Sequence, residues 1–124
     1  MLDWLFGPKA KARQLNSDAR AIVQVARDGY RVETTRAMAL LTRETIDDTR
    51  AYALARSEGP KLTIERLEMY HRNAKSSRDQ VKLTAYTLAI IYLRAEGLGE
   101  LAAPARAEID QFYADWAHSV EPSS

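Results

Sequence analysis

Residues 81–95, VKLTAYTLAIIYLRA, decide the fold class of this 124-residue chain. Their large apolar side chains recur at steps of three and four residues, which is the spacing that places side chains on one face of an α-helix. This stretch is the most apolar of the helical patterns in the chain. The stripe consists of Val81, Ala85, Leu88, Ile91, Tyr92 and Ala95.

Four further stripes with the same spacing lie on both sides of this stretch. Glycine and proline separate them, and proline breaks helices because it lacks an amide donor and disfavours helical angles at the preceding residue. No segment alternates with a period of two residues, and no Asn-Gly hairpin signal occurs. The sequence therefore predicts an all-α fold, an antiparallel bundle of four to five helices. The further stripes lie within residues 19–30, 38–55, 62–74 and 101–120.

The start of the first helix has two interpretations. Ser17 is a suitable N-cap, because its hydroxyl can accept a hydrogen bond from a free amide of the first turn. Residues 9–15 can instead extend the helix backward, since they contain good helix formers. We divide the chain into an apolar and basic N-terminal segment, a helical bundle and a frayed tail: residues 1–16, 17–120 and 121–124.

Two boundaries concern the third stripe. Thr63 is its predicted N-cap. Residues 73–80 are polar and end in SRDQ, residues 77–80, which fits a capping box with Ser77 as the capping residue. The chain therefore either breaks into two helices there or continues as one long helix with a polar middle.

Composition excludes several classes of protein. The chain has no cysteine, which excludes disulfides and thiolate metal sites, and its net charge of +1 gives no overall attraction to nucleic acid or membrane. No apolar run reaches the length of a transmembrane helix. In residues 1–13 the apolar residues precede the basic ones, the reverse of a secretory signal peptide. We therefore expect a cytoplasmic protein.

The start of the chain, MLDWLFG in residues 1–7, carries four large apolar side chains in five positions. Three interpretations compete. The segment folds back onto the bundle as core, or it docks on another protein with its aromatic side chains as anchors. In the third, it lies on a membrane surface, with the following lysines on anionic lipid. The residues we expect at a protein contact are Leu2, Trp4, Leu5 and Phe6.

Basic side chains recur on two predicted helices. One interpretation is a surface for nucleic-acid phosphates. The low net charge and the lack of interleaved aromatic side chains argue against it, so we do not expect a nucleic-acid partner. We favour intramolecular pairing with the acidic last helix, and Arg43 has a further partner, Asp47, at the i,i+4 spacing. The stripes are Lys9, Arg13, Arg20, Arg27 and Arg31 on the first helix, and Arg36, Arg43 and Arg50 on the second.

The chain has two histidines, His71 and His118. Glu68 and Asp115 each precede one of them by three residues, which is the spacing of di-iron sites in helical bundles. His71 falls on its apolar stripe, whereas His118 points away from the apolar stripe of its own helix. Because the two histidines cannot converge inside one bundle, we predict no metal site.

The segment YHRNAKSS, residues 70–77, resembles the active-site helix of histidine phosphotransfer domains, which are helical bundles of about this length. Lys75 falls one place later than the lysine of those domains, and the glycine that follows it there is absent. The resemblance implies that His71 accepts a phosphoryl group and that Lys75 balances its charge. The alternative, which we favour, is a half-buried His71 that hydrogen-bonds a neighbour.

Motifs for other chemistry are missing. There is no Gly-x-Ser-x-Gly elbow, and GLG at residues 97–99 lacks the third glycine and the preceding strand of a phosphate-binding loop. We predict no cofactor. The favoured function is a small non-enzymatic interaction or adaptor protein that docks on another protein, as a monomer or a homodimer. The alternatives are a phosphotransfer domain acting through His71 and a nucleic-acid-binding regulator acting through the arginine stripes.

Overall fold

The computed structural model describes residues 7–118 of the chain, except for the side chain of His118. Those residues form five α-helices, with a 3-10 helix at Gly99–Ala102 and no strand among them. The predicted all-α bundle is confirmed. The helices are α1, Pro8–Asp28; α2, Val32–Ala55; α3, Pro60–Ser77; α4, Gln80–Glu96; and α5, Ala103–His118.

Helix α4 is the centre of the fold, because it packs against each of the other four helices. Its side chains are buried at five consecutive positions, residues 88–92, which is more than one face of a helix. This burial explains the apolar character of residues 81–95. Helices α1 and α5 pack on each other, α2 packs on α4 and α5, and α3 packs on α4 and, with a smaller contact, on α2.

Helix α1 begins at Pro8, where the missing amide of proline is tolerated, and it runs through the predicted boundary between residues 16 and 17. Ser17 is therefore inside the helix and does not cap it. Asn16 also ties this region to the bundle. Its side-chain amide donates to the Leu101 carbonyl at 3.1 Å, and its side-chain oxygen accepts from the Ala105 amide at 2.9 Å.

The chain breaks between α3 and α4, so the two-helix interpretation of residues 73–80 is correct. Arg78 adopts a left-handed conformation at φ 58°, and the next residue, Asp79, caps α4 by accepting from the Lys82 amide at 3.0 Å. The prediction that Ser77 caps the following helix is wrong, because Ser77 is the last residue of α3. Thr63 is not a cap either, since α3 begins at Pro60 and the Thr63 hydroxyl donates to the Gly59 carbonyl at 2.9 Å.

Over residues 7–118, no helix combines the length and the hydrophobicity that crossing a bilayer requires.

Candidate functional site

A groove of about 980 Å³ lies between α1 and α3, and we call it the α1/α3 groove. It exists because α1 and α3 both pack on α4 but do not pack on each other. The carboxyl-terminal half of α2 and the end of α4 complete its walls. Its apolar lining comes from all four helices and the turn after α4: Leu15, Ala53, Leu54, Ile64, Leu93 and Leu98.

Helical spacing explains why apolar side chains line this groove. Leu15 lies between two fully buried residues of α1, Ala12 and Ala19, and Ile64 lies one turn before the fully buried Leu67 of α3. Leu15 and Ile64 are half-buried and pack against the edge of the core. Leu54 is 82% exposed at the margin of the groove. The apolar faces of these helices therefore extend beyond the core, and such exposed apolar surface is typical of binding sites.

Charged side chains at the margin of the groove are largely paired. Arg50 hydrogen-bonds Glu96, and Arg66 pairs with Glu58 at 2.5 Å. The hydrogen bond to Glu96 raises the pKa of Arg50 above its ordinary value. Because the lining cations and anions balance, the groove has no strong preference for phosphate or another anion. Lys11, at the amino-terminal end of the groove, has no ion-pair partner among residues 7–118.

Two arginine side chains stack on Tyr52 beside the groove. The guanidinium of Arg66 lies 4.3 Å from the centre of the Tyr52 ring, and that of Arg56 lies 4.8 Å from it. These distances are within the range of cation–π contacts. We call Tyr52, Arg56, Arg66 and Glu58 the Tyr52 cluster. Because Arg66 of α3 contacts both Tyr52 and Glu58, the cluster links the end of α2 to α3, and Glu58 lines the groove there. Sequence reasoning missed the cluster because its members come from two helices and the loop between them.

His71 is half-buried on α3, as we favoured, but its imidazole makes no hydrogen bond to any described residue. It lines a small cavity of about 300 Å³ together with Glu68, Arg72 and Arg94. Arg94 donates to Glu68 at 3.1 Å, so this cation is already paired. Lys75 is exposed one turn further along α3. Within residues 7–118, no three His, Cys, Asp or Glu side chains are grouped to hold a metal ion.

The acidic last helix pairs with two of the arginines, Arg27 and Arg43, as the charge distribution predicted. Arg27 pairs with Asp115 at 2.7 Å, and Arg43 lies 3.7 Å from Asp110. Arg43 also pairs with Asp47 at 3.6 Å, which confirms the predicted i,i+4 contact. These pairs are half-exposed, so each stabilises the fold only slightly. The two contacts with α5 link α1 and α2 to that helix, and they occupy cations that a phosphate surface would need.

The remaining arginines differ in position and exposure. Arg13 and Arg20 are exposed on α1. Arg31 is not on the first helix, which corrects the prediction, because α1 ends at Asp28 and Arg31 precedes α2. Arg36 is half-buried, and its buried Nε has no hydrogen-bond partner among the described residues.

The predicted protein-contact residues of the N-terminal segment, Leu2, Trp4, Leu5 and Phe6, lie outside the described residues. The structure therefore supplies a site that the sequence did not indicate, the α1/α3 groove. Its apolar side chains have the same spacing as true core residues, so periodicity alone cannot distinguish them.

Comparison of the chain with protein-family models, with curated proteins and with solved structures finds no match. The function is therefore inferred from the geometry of the groove.

Proposed function

We propose that this protein is a non-enzymatic interaction module that docks on another protein by accepting an apolar helix of that protein in the α1/α3 groove. The observation that supports this proposal is the gap between α1 and α3. Both helices pack on α4, yet their apolar faces continue into a space that no described helix fills. A further helix in this space would pack on α1 and α3 as the described helices pack on one another.

The size of the groove suits a short helix. A cylinder of about 10 Å in diameter with a rise of about 5.4 Å per turn has a volume of roughly 420 Å³ per turn. The groove of about 980 Å³ therefore has room for a little more than two helical turns. Two turns present apolar side chains at positions i, i+3 or i+4, and i+7, which is the pattern by which helices bind in grooves.

The charged side chains at the margin of the groove indicate which charges the partner helix carries. Its paired charges leave no net field that would select a strongly charged partner. Lys11 favours an acidic side chain near the amino-terminal end of α1, because its ammonium has no ion-pair partner among residues 7–118. The proposed partner is thus an amphipathic helix with an apolar stripe and one acidic flank.

Two other predicted functions stay as predictions. Phosphotransfer would act through His71, which is half-buried. Nucleic-acid binding would use the arginines of α1 and α2, two of which are paired with α5. The cytoplasmic location and the homodimer are also predictions, and neither is required by the proposed docking.

The test places a photo-cross-linking residue at position 54 in the source cells, with position 25 as the matched control. Leu54 lines the groove and is 82% exposed, whereas Val25 is 59% exposed on α1 and does not line it. We expect position 54 to label an amphipathic segment of a partner protein. A synthetic peptide of that segment should bind the wild type.

The same pair of positions gives the binding control. Leu54→Arg should weaken peptide binding at least about tenfold, which is the effect of losing one hot-spot contact of about 1.4 kcal/mol. Val25→Arg should leave the affinity unchanged. Equal labelling at both positions, or a peptide that binds both variants like the wild type, contradicts the proposal.

A further inference from the structure

We infer that residues 1–6 of the same chain, MLDWLF, occupy the α1/α3 groove until a partner displaces them, so that the protein regulates its own docking site. The regulatory part of this inference rests on the proposed function, because it assumes that a partner uses the groove. Occupancy by the segment itself is a separate claim. It corresponds to the interpretation in which the N-terminal segment folds back onto the bundle.

The chain enters α1 close to one end of the groove. Gly7 is the N-cap of α1, with extended angles of φ −73° and ψ 175°, and Pro8 is the first helical residue. Lys11, one helical turn after Gly7, is the first residue of α1 that lines the groove. The chain therefore enters α1 within one turn of the groove.

The segment is long enough to follow the groove. Six extended residues span at most roughly 20 Å. Along α1 the groove extends from Lys11 to Asp18, a distance of roughly 10 Å at about 1.5 Å per helical residue. A segment that returns antiparallel to α1 from Gly7 thus reaches the far end of this wall.

The chemistry of the segment matches that of the groove. Five of its six residues have large apolar side chains, and the groove presents apolar side chains from four helices. Asp3 supplies the acidic side chain that Lys11 favours, and Asp3 is the only charged side chain in residues 1–6. The proposed partner and the first six residues of this chain thus both combine large apolar side chains with an acidic one.

The first test measures the environment of Trp4 in the full chain. The chain has two tryptophans, so Trp116→Phe leaves Trp4 as the only one. We expect a blue-shifted emission and at least twofold weaker quenching by acrylamide than for free tryptophan. Leu54→Arg should remove this shielding, whereas Val32→Arg, at a site that is 52% exposed and more than 20 residues earlier in α2, should leave it intact.

Several outcomes overturn the inference. If acrylamide quenches Trp4 in the Trp116→Phe protein as strongly as it quenches free tryptophan, this segment does not occupy the groove. Shielding that Leu54→Arg and a second groove variant, Ile64→Arg, both leave unchanged places Trp4 elsewhere, provided that circular dichroism shows both variants folded. Shielding that disappears on dilution, together with dissociation of a dimer in sedimentation, assigns the groove to the segment of a second copy.

The second test separates this inference from the proposed function. Because the chain has no cysteine, Leu5→Cys with Leu54→Cys forms the only disulfide available, and Leu5→Cys with Val32→Cys is the control pair. We expect an intramolecular disulfide in the first pair alone, and loss of partner-peptide binding that reduction restores. If the protein with the closed Leu5→Cys/Leu54→Cys disulfide still binds the peptide, the segment occupies the groove but the groove is not the partner site. Failure of the first pair to close while Leu54→Arg still abolishes peptide binding overturns the inference and keeps the function.

Discussion

Thr35 shows how one buried hydroxyl joins two helices. It lies in the first turn of α2, and its hydroxyl donates at 2.7 Å to the carbonyl of Ala26, near the end of α1. The last carbonyls of a helix have no partner within the helix. Among the described residues no backbone amide donates to Ala26 outside the helix pattern, so Thr35 satisfies a buried acceptor.

We predict that Thr35→Val lowers the free energy of unfolding by about 1–3 kcal/mol, because it leaves this carbonyl buried without a partner. Thr42→Val is the matched control. Thr42 is also buried, but its hydroxyl donates to the Met38 carbonyl inside α2, which the helix already satisfies, so its removal should change stability little. Urea denaturation measures both. Equal losses in the two variants would contradict this explanation.

Tyr92 links stability to alkaline pH. Its hydroxyl donates to Asp110 of α5 at 3.3 Å, and burial, with the nearby Asp110 charge, raises its pKa above the ordinary value of 10.0. The folded state therefore favours the neutral phenol. The resulting stabilisation is complete below the unfolded pKa and is lost as pH rises through the folded pKa.

We predict that Tyr92→Phe is less stable than the wild type by about 0.5–1.5 kcal/mol at pH 8, since it loses one hydrogen bond. Above pH 10 the difference should shrink, because only the wild type ionises at this position. Denaturation curves at pH 8, 9, 10 and 11 check this result. Parallel pH profiles for the two proteins would show that Tyr92 does not titrate as its burial requires.

At the scale of the helices, two glycines end or precede a helix for different reasons. A Cβ added to Gly29, after α1, would lie 2.8 Å from the Val25 carbonyl oxygen, closer than van der Waals contact allows. A Cβ on Gly59, before α3, would meet nothing within 4 Å, and both backbones have negative φ. Only Gly29 is therefore required by close approach of the backbone.

We predict that Gly29→Ala destabilises the protein by about 1 kcal/mol or more, because the turn between α1 and α2 has to shift. Gly59→Ala should be close to neutral, since the entropy that alanine removes from the unfolded chain is offset by alanine being a poorer N-cap than glycine. Thermal unfolding of the two variants, followed by circular dichroism, measures the difference. A larger loss at Gly59 than at Gly29 would show that this steric argument is wrong.

The helix ends also show where local patterns fail. The sequence placed the caps at Ser17, Ser77 and Thr63, but none of these residues caps a helix. Serine and threonine are favoured at N-caps, yet proline one position inside a helix defines its start as well. Helices α1 and α3 each begin at the proline of a Gly-Pro pair. A buried residue lies early in each of them, Ala12 in α1 and Thr63 in α3.

At the scale of the whole molecule, the position of α4 explains both the core and the groove. Because four helices pack around α4, two of them can lie on it without touching each other. The gap that results is the α1/α3 groove. The sequence contains no signal for it, since Leu15, Ile64 and Leu93 follow the same spacing as the buried residues beside them.

The charge distribution was informative at this scale. The basic stripes of the first two predicted helices and the acidic residues of the last one predicted that these stripes pair with the last helix. The contacts of Arg27 with Asp115 and of Arg43 with Asp110 agree with that expectation. The particular partners were not predictable, because they depend on the rotation of each helix about its own axis.

By itself the sequence determined the all-α class, the number of helices to within one and their approximate positions, because helical periodicity and glycine–proline breaks act over a few neighbouring residues. Only the tertiary structure decided that α1 begins at Pro8, that α4 is central and that α1 and α3 leave a groove between them. The physical reason is that packing between helices depends on contacts far apart in the chain. An apolar side chain at helical spacing becomes core or binding surface according to what packs against it.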